Sequence, residues 1–486
     1  MDLHALTEDT IAKVQTQLAA LKAGGLEKAT VDLGVGLTGF NLEAPAKLLV
    51  PIVSGVRDRI PRRTVAGIGT NWKAITAVTP SGAFKAADGV RSTGFDITKT
   101  DYSTSYGEYG QFGDVTWAGE IAAQNFDDAR ARAETLALLQ FLRREWGVMA
   151  GGHTTNLGAG PAPTVVAGTS GGNLADDEYW VYPVPLTLPG VAGASRIARP
   201  TGGESNNYDF STAPTLNLND GVGLPDAGDV SATITGGSGN GKLTVTWTWD
   251  KDAVAYAVYV GLATGSTNAK LQGIVTQSEV VITDFNTTGA APNTSDTSGN
   301  APFKGMWHQL TAAGSGSYLK RLNGPLSAAV GRGIPEIDEM LDDIYERTKE
   351  EPDILMVGYQ EHGSIDDKLA AVSQDRIKLN VSVPSQGDLS SEMLPRFTTY
   401  KSRRGKVLRL IEDNVLPGGA IMAIKDEVMI PNSQIPNAWQ MHMGRDLARL
   451  DYAMANPKFE FEVRAYGALA GYAPSFQGMI YDIHAA

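Results

Sequence analysis

The stretch Leu243–Gly261, "LTVTWTWDKDAVAYAVYVG", constrains the fold more than any other part of the chain. Leu243, Val245, Trp247 and Trp249 alternate with Lys242, Thr244, Thr246 and Thr248, the two-residue period of a strand with one buried face. Asp250, Lys251 and Asp252 interrupt the pattern, and Val254, Tyr256, Val258 and Val260 resume it. "QSEVVITDF" (277–285) supplies a third strand and "VSATIT" (230–235) an edge strand ahead of a Gly/Ser turn. Thr164–Gly168 and Tyr179–Leu186 read as a further strand pair. All of these lie in a run, 153–300, that is rich in Gly, Ser, Thr, Asn and Pro and poor in charge and helical period. Short alternating strands at this spacing predict an antiparallel β-sandwich, similar to an immunoglobulin-like or fibronectin type III module.

The flanks have another character. "NFDDARARAETLALLQFLRREWGVMAGG" (125–152) predicts a long helix over 126–150, capped by Asn125, with Asp127 and Asp128 at the positive end of its dipole. Leu136, Leu139, Trp146 and Met149 form its expected apolar side. Before it, prolines at 51 and 61 break any helix, and Val65–Val78 alternates as a strand. The segment 83–120 is glycine-spaced and carries Tyr102, Tyr106, Tyr109, Phe112 and Trp117. It reads as a projecting hairpin whose aromatics need a neighbouring molecule to cover them. After the insertion, Ile337, Met340, Leu341, Ile344, Tyr345 and Thr348 share a helical face, and the acidic positions of Glu336–Asp343 are expected to be solvated. "DILMVGY" is a buried strand, "SIDDKLAAVSQ" a helix opened by Ser364, and "GGAIMAIKDEVMI" and "KFEFEVRAYGALAGY" are strands. The flanking chain is therefore α+β.

Composition narrows the chemistry. A net charge of −13 argues against broad attraction to nucleic-acid phosphates or anionic membranes. Zero cysteines exclude disulfides, thiolate metal sites and cysteine nucleophiles. The amphipathic, acidic N-terminus carries no signal-peptide pattern, so a cytoplasmic site of synthesis is expected. The six histidines, at 4, 153, 308, 362, 442 and 484, show no metal-ligand spacing, and no metal or cofactor is expected. "GVGLTG" (34–39) fits a dinucleotide pattern, but Pro45 stands where the phosphate-facing helix should run. "GGSGNGKL" (236–243) resembles a phosphate loop, yet ends in Leu243 and leads into a strand. "GSGSY" has no acid or base partner in the sequence, so no catalytic residue is nominated and the chain is read as a non-enzyme. The basic clusters "RDRIPRR" (57–63) and "KSRRGK" (401–406) are assigned to pairing with carboxylates of a neighbouring subunit, with contact to a packaged polyanion as the other reading.

The order of elements then resembles the major capsid protein of tailed double-stranded DNA bacteriophages, the Hong Kong 97-type fold. "LLVPIVSGVRDRIPRRTVAGIGTNWKAIT" is similar to the strand entering that family's extended loop, and 83–120 to the loop itself. The segment 125–152 is similar to its spine helix, "IPEIDEMLDDIYERTKEEPDILMVG" to its axial domain, and "KFEFEVRAYGALAGYAPSFQGMIYDI" to its last peripheral strand and tail. The resemblance covers roughly 40–152 and 303–486. It implies an N-terminal arm over 1–50 and a peripheral-domain start, loop and helix over 51–152. An immunoglobulin-like insertion on flexible Gly/Ser joints then spans 153–300, and the axial and remaining peripheral domains span 301–486.

The function implied is self-assembly of hexamers and pentamers into an icosahedral virion shell around double-stranded DNA, built in the bacterial cytoplasm with a portal. The short arm implies a separate scaffolding protein or none. The insertion would bind a host-surface glycan or protein, or stiffen the particle. Some relatives crosslink lysine to asparagine, and by position Lys85 or Lys99 and Asn456 are the candidates here. Two other classes stay open: an extracellular carbohydrate-binding or adhesion protein using the β-module, and a hydrolase with an accessory β-domain.

Overall fold

A computed structural model describes residues 56–81, 94–123, 128–195, 197, 208, 210, 214–329, 333–373, 398–429, 435, 437–453 and 457–484. The chain opens with strands β1 (Arg62–Thr64), β2 (Gly69–Pro80), β3 (Phe95–Ser105) and β4 (Gly107–Thr116), then helices α1 (Trp117–Ala123) and α2 (Ala129–Gly151). Strands β5 (Thr164–Gly168) and β6 (Glu178–Leu186), helix α3 (Leu188–Ala192), and strands β7 (Ser231–Thr233), β8 (Lys242–Thr246), β9 (Ala255–Gly261), β10 (Lys270–Val275) and β11 (Glu279–Ile282) make the middle. The remainder is α4 (Met306–Thr311), β12 (Tyr318–Pro325), α5 (Pro335–Thr348), β13 (Ile354–Val357), α6 (Tyr359–Ser373), β14 (Thr399–Lys401), β15 (Val407–Glu412), β16 (Ala420–Ile424), β17 (Trp439–Asp451), β18 (Lys458–Gly471) and β19 (Gly478–His484).

Alternation builds the first sheet, ordered β1-β17-β18-β4. In β18, Phe461, Val463 and Ala465 are buried while Glu460, Glu462 and Arg464 reach solvent, the one-sided pattern of a sheet packed on a helix. That helix is α2, whose Phe141 stacks on Tyr109 of β4 with ring centroids 5.4 Å apart. Its N-cap is Asp128, whose carboxylate accepts from the backbone N–H groups of Arg130 and Ala131, both at 3.1 Å. The helix so begins at Ala129; Asn125, the expected cap, lies outside the described residues. The expected apolar side is also corrected. Trp146 and Met149 are buried as expected, but Leu136 is exposed and Leu139 half-buried, because the helix turns Ala137, Phe141 and Glu145 inward in their place.

Residues 164–282 form two sheets, β10-β9-β6-β7 and β11-β8-β5. Leu243, Val245, Trp247 and Trp249 point inward, with the β8 threonines half-exposed. Strands β5 and β6, expected as partners, belong to different sheets and pair with β8 and β9 respectively. Strand β9 is buried along its whole length. Tyr256, Val258 and Val260 enter the sandwich core with Val245 and Trp247, whereas Ala255, Ala257 and Tyr259 lie under Val191 and Val222. Described residues between β6 and β7, Val191 and Val222 among them, therefore cover the outer face of that sheet.

The third large sheet runs β12-β19-β16-β13-β15-β14. Ile337, Met340, Leu341 and Ile344 of α5 pack on Leu355, Val357, Ile421 and Ile480. Two acidic residues of α5 depart from their expected solvation. Glu336 accepts from Ser327, and Asp338 is buried beneath the Tyr400 hydroxyl, which donates to it at 2.8 Å. Helix α6 starts at Tyr359, directly after β13, so Ser364 sits inside it and opens nothing; His362 N–H already bonds Gly358 O at 3.0 Å.

The sandwich is not hung on loose joints. Leu157 N–H donates to Ser298 Oγ (2.7 Å), Gly158 N–H to Asp296 (2.9 Å), and Gly305 N–H to Gly152 O (2.8 Å), so the two crossing segments are bonded to each other and to the end of α2. Within one compact unit, Val50–Ala122 with Asp128–Ala486, the sandwich packs against the flanking sheets. Among the described residues no helix is long and apolar enough to cross a membrane.

Candidate assembly surface

Strands β2 and β3 form a two-stranded ribbon of their own, paired from Gly69↔Ser105 to Pro80↔Phe95 with one irregularity at Ile75/Ala77. Twelve residues at about 3.3 Å each give it a reach of roughly 40 Å. Because cross-strand partners share a face, the pairs Val78↔Ile97 and Pro80↔Phe95 stand side by side on one surface of the ribbon. Ile75 is 61 % exposed, Val78 59 %, Phe95 63 % and Ile97 44 %. The adjacent pairs Thr79↔Asp96 and Ala77↔Thr98 face the other way and are mostly polar. An isolated two-stranded ribbon is marginal in water, and an apolar face of this kind asks for a cover.

The finger's strands thus run Gly69–Pro80 and Phe95–Ser105, not 83–120, and 82–93 lie outside the described residues. The boundary moves because 107–116 is captured as β4 by the edge of β18. The expectation that all its aromatics require a neighbour also fails. Tyr102 stacks on Trp72 (5.8 Å), which meets Tyr472 at 5.1 Å; Tyr106 and Tyr109 are covered by the chain's own sheet and helix. Phe112 and Trp117 remain exposed, at 50 % and 59 %.

The base of the ribbon is fastened through charge. Glu145 of α2 is fully buried and accepts from Arg57 (Nη2, 2.6 Å), Arg62 (Nη1, 2.9 Å; Nη2, 3.0 Å) and the Tyr109 hydroxyl (2.6 Å). Burial alone would raise its pKa, but hydrogen bonds and charge from Arg62, with Tyr109 and Arg57, outweigh that and hold it below the ordinary range. Beside it, Thr70 bonds His442 Nδ1 (3.0 Å) and the Tyr472 hydroxyl meets His442 Nε2 (2.8 Å). The imidazole is pushed to lower pKa by burial, then by Arg63.

Most side chains of the two basic clusters find acids within the chain, against the expectation of a neighbour's. Arg57 and Arg62 take Glu145, Arg59 takes Asp426 (3.2 Å), Arg403 takes Asp342 (3.2 Å), Arg404 takes Asp342 (2.7 Å) and Glu351 (3.3 Å), and Lys406 takes Asp353 (2.6 Å). The phosphate-loop lookalike is likewise filled from within: the N–H groups of Gly236 and Gly237 donate to Asp176 at 3.0 and 2.9 Å. In "GSGSY", Ser315 Oγ donates to Leu310 O at 2.7 Å. Lys99 lies exposed on β3 opposite Ile75, while "GVGLTG", Lys85 and Asn456 fall outside the described residues.

One constellation was not legible in the spacing. His153, after α2, Asp252, in the β8–β9 turn, and His308, on α4, bring potential metal-ligating atoms within 4.8 Å of one another. Burial, then the charges of His153 and Lys304, lower the His308 pKa to about 4. Three distant segments supply these residues, so only the sandwich docking onto α4 could reveal them.

No family model matches the sequence. No curated protein matches it either. Among solved structures, the chain is similar to the SrpI encapsulin of Synechococcus elongatus PCC 7942, at 9 % identity, covering 94 % of this chain and 98 % of that one, with a TM-score of 0.39. A Mycobacterium phage Bobi chain gives 10 % identity, coverage of 90 % and 95 %, and a TM-score of 0.40. A capsid chain of Cyanophage A-1(L) gives 10 %, coverage of 91 % and 97 %, and 0.40. Likeness at this level carries no weight by itself.

Proposed function

We propose that this chain is a structural subunit that self-assembles into a closed shell, with the Gly69–Ser105 ribbon laid over an adjoining copy. The observation that carries this reading is the apolar face formed by Ile75, Val78, Pro80, Phe95 and Ile97, which the chain's own described residues leave open. Burying such a face in a repeated contact stabilises both the ribbon and the assembly, and many weak identical contacts close a particle. The finer reading is the icosahedral head of a tailed bacteriophage, made of hexamers and pentamers around double-stranded DNA. In that reading a portal and a separate scaffold assist assembly, and the sandwich sits as a decoration on the shell.

The adhesion reading is less well supported. Trp247, Trp249, Tyr256 and Tyr259 are consumed by packing, so they offer no stacking platform for a sugar. A non-enzymatic role agrees with the internal satisfaction of both loop motifs that resembled nucleotide or nucleophile sites and are described.

Light scattering and electron microscopy of the purified full-length chain should show closed particles or ring-shaped capsomers. A chain that stays monomeric across protein concentration, salt and crowding agents would overturn the proposal.

A further inference from the structure

His153 donates from Nδ1 to the carbonyl oxygen of Thr155 at 2.6 Å, which leaves Nε2 as a lone-pair donor in the neutral ring. A carbonyl partner on the far nitrogen is also the usual means by which a metal-binding imidazole is oriented. Nε2 points at Nδ1 of His308, with the two rings edge-on, centroids 3.7 Å apart and planes at 80°. Asp252 Oδ1 lies 4.0 Å from the same Nε2, beyond hydrogen-bond distance, and accepts from Thr311 Oγ1. His153 is 4 % exposed.

Each donor stands on backbone fixed by other contacts. Ala301 N–H bonds His153 O at 3.2 Å, Asp250 Oδ1 accepts from Asp252 N–H at 3.1 Å, and Trp307 Nε1 donates to Lys251 O at 3.0 Å. Gly305 and Gly152 pass so closely that a Cβ on Gly305 would lie 2.4 Å from Gly152 N. A hydrogen bond between the imidazoles would satisfy only that pair. One cation about 2.0–2.2 Å from each atom would satisfy all three donors. Tetrahedral ligands about 2.0–2.2 Å from one ion stand roughly 3.3–3.6 Å apart, so binding draws the carboxylate in from at most 4.8 Å and parts the two imidazole nitrogens, each by about 1–1.5 Å.

We propose that His153 Nε2, His308 Nδ1 and Asp252 Oδ1 bind one divalent late first-row cation, zinc by donor chemistry, with water in the fourth position. Two imidazoles and one carboxylate suit zinc better than magnesium or calcium, which prefer all-oxygen shells. The ion would join the β8–β9 turn of the sandwich to the end of α2 and to α4. This inference does not depend on shell assembly.

The test uses the full-length chain stripped with chelator and titrated with cobalt(II). Expected are visible d–d bands saturating near one equivalent, displacement of the cobalt by zinc, and a rise in thermal midpoint when zinc is added. His308→Gln, which keeps a polar partner for His153, and Asp252→Asn should each reduce the affinity at least tenfold and abolish the midpoint rise. The idea is overturned if the parent shows no bands and no midpoint change, or if both variants bind cobalt as the parent does.

Discussion

Glu361 is fully buried at the start of α6, where its carboxyl accepts from the backbone N–H of Gly419. Burial, only partly offset by that bond, pushes its pKa up from 4.5 to about 7. The folded state then holds this proton more tightly than the unfolded one. The contribution to stability is complete below about pH 4.5 and lost as pH rises to 7, a change on the order of 3 kcal/mol. Glu361→Gln should flatten this loss, so that denaturant midpoints at pH 5 and pH 8 lie closer together than in the parent. An unchanged difference would show that the buried carboxyl is not its source. Glu145 has the opposite character, being ionised and held by two guanidinium groups and a phenol. Glu145→Gln leaves Arg57 and Arg62 without their shared anion and should cost about 3 kcal/mol or more in urea unfolding, the scale of a broken buried ion pair. A loss under about 1 kcal/mol would mean that solvent replaces the carboxylate there.

At the level of elements, the ribbon separates folding from assembly. Val78 and Phe95 touch little of their own chain, so Val78→Asp with Phe95→Asp should move the melting temperature of the unassembled chain only slightly. Particle formation, read by light scattering, should nevertheless fall to background; particles of parental yield would show that this face is not an interface. The strands on either side of these positions were readable because alternation survives in the sequence, as in Phe461, Val463 and Ala465 of β18 or Leu243 and Val245 of β8. What alternation cannot tell is the partner. Residues 107–116 have strand character, and only the open edge of β18 takes them out of the finger. The same ambiguity separated β5 from β6. In α2, leucines were read as the core side because they are apolar. The burial of Glu145 is set by two arginines more than eighty positions earlier, a relation with no local signature. The histidine and aspartate constellation was hidden for the same reason.

Across the whole molecule, an insertion joined only by chain crossings should unfold apart from its host, since interfaces between domains are commonly loose. Here Asp482 opposes that. Its side chain has no exposure and accepts from Ser278 N–H (2.9 Å) and Oγ (2.8 Å), both in the sandwich, and from Arg321 Nε (2.7 Å) of β12. Burial would raise its pKa, but bonds from His484, Arg321 and Ser278 outweigh this and hold it low. Its support is therefore present above the unfolded carboxylate range and lost only as pH falls through the lower folded value. The backbone there has φ 56°, which asparagine tolerates, so Asp482→Asn changes charge with little added strain. With this node intact, calorimetry of the unassembled chain should give one cooperative transition for sandwich and flanking sheets. In Asp482→Asn a lower-melting transition should separate from the rest, because the sandwich has lost its charged anchor while its own core of Val245, Trp247 and Tyr256 is untouched. Two transitions already present in the parent, or a variant that still melts in a single step at the parental temperature, would mean that Asp482 does not couple the two parts.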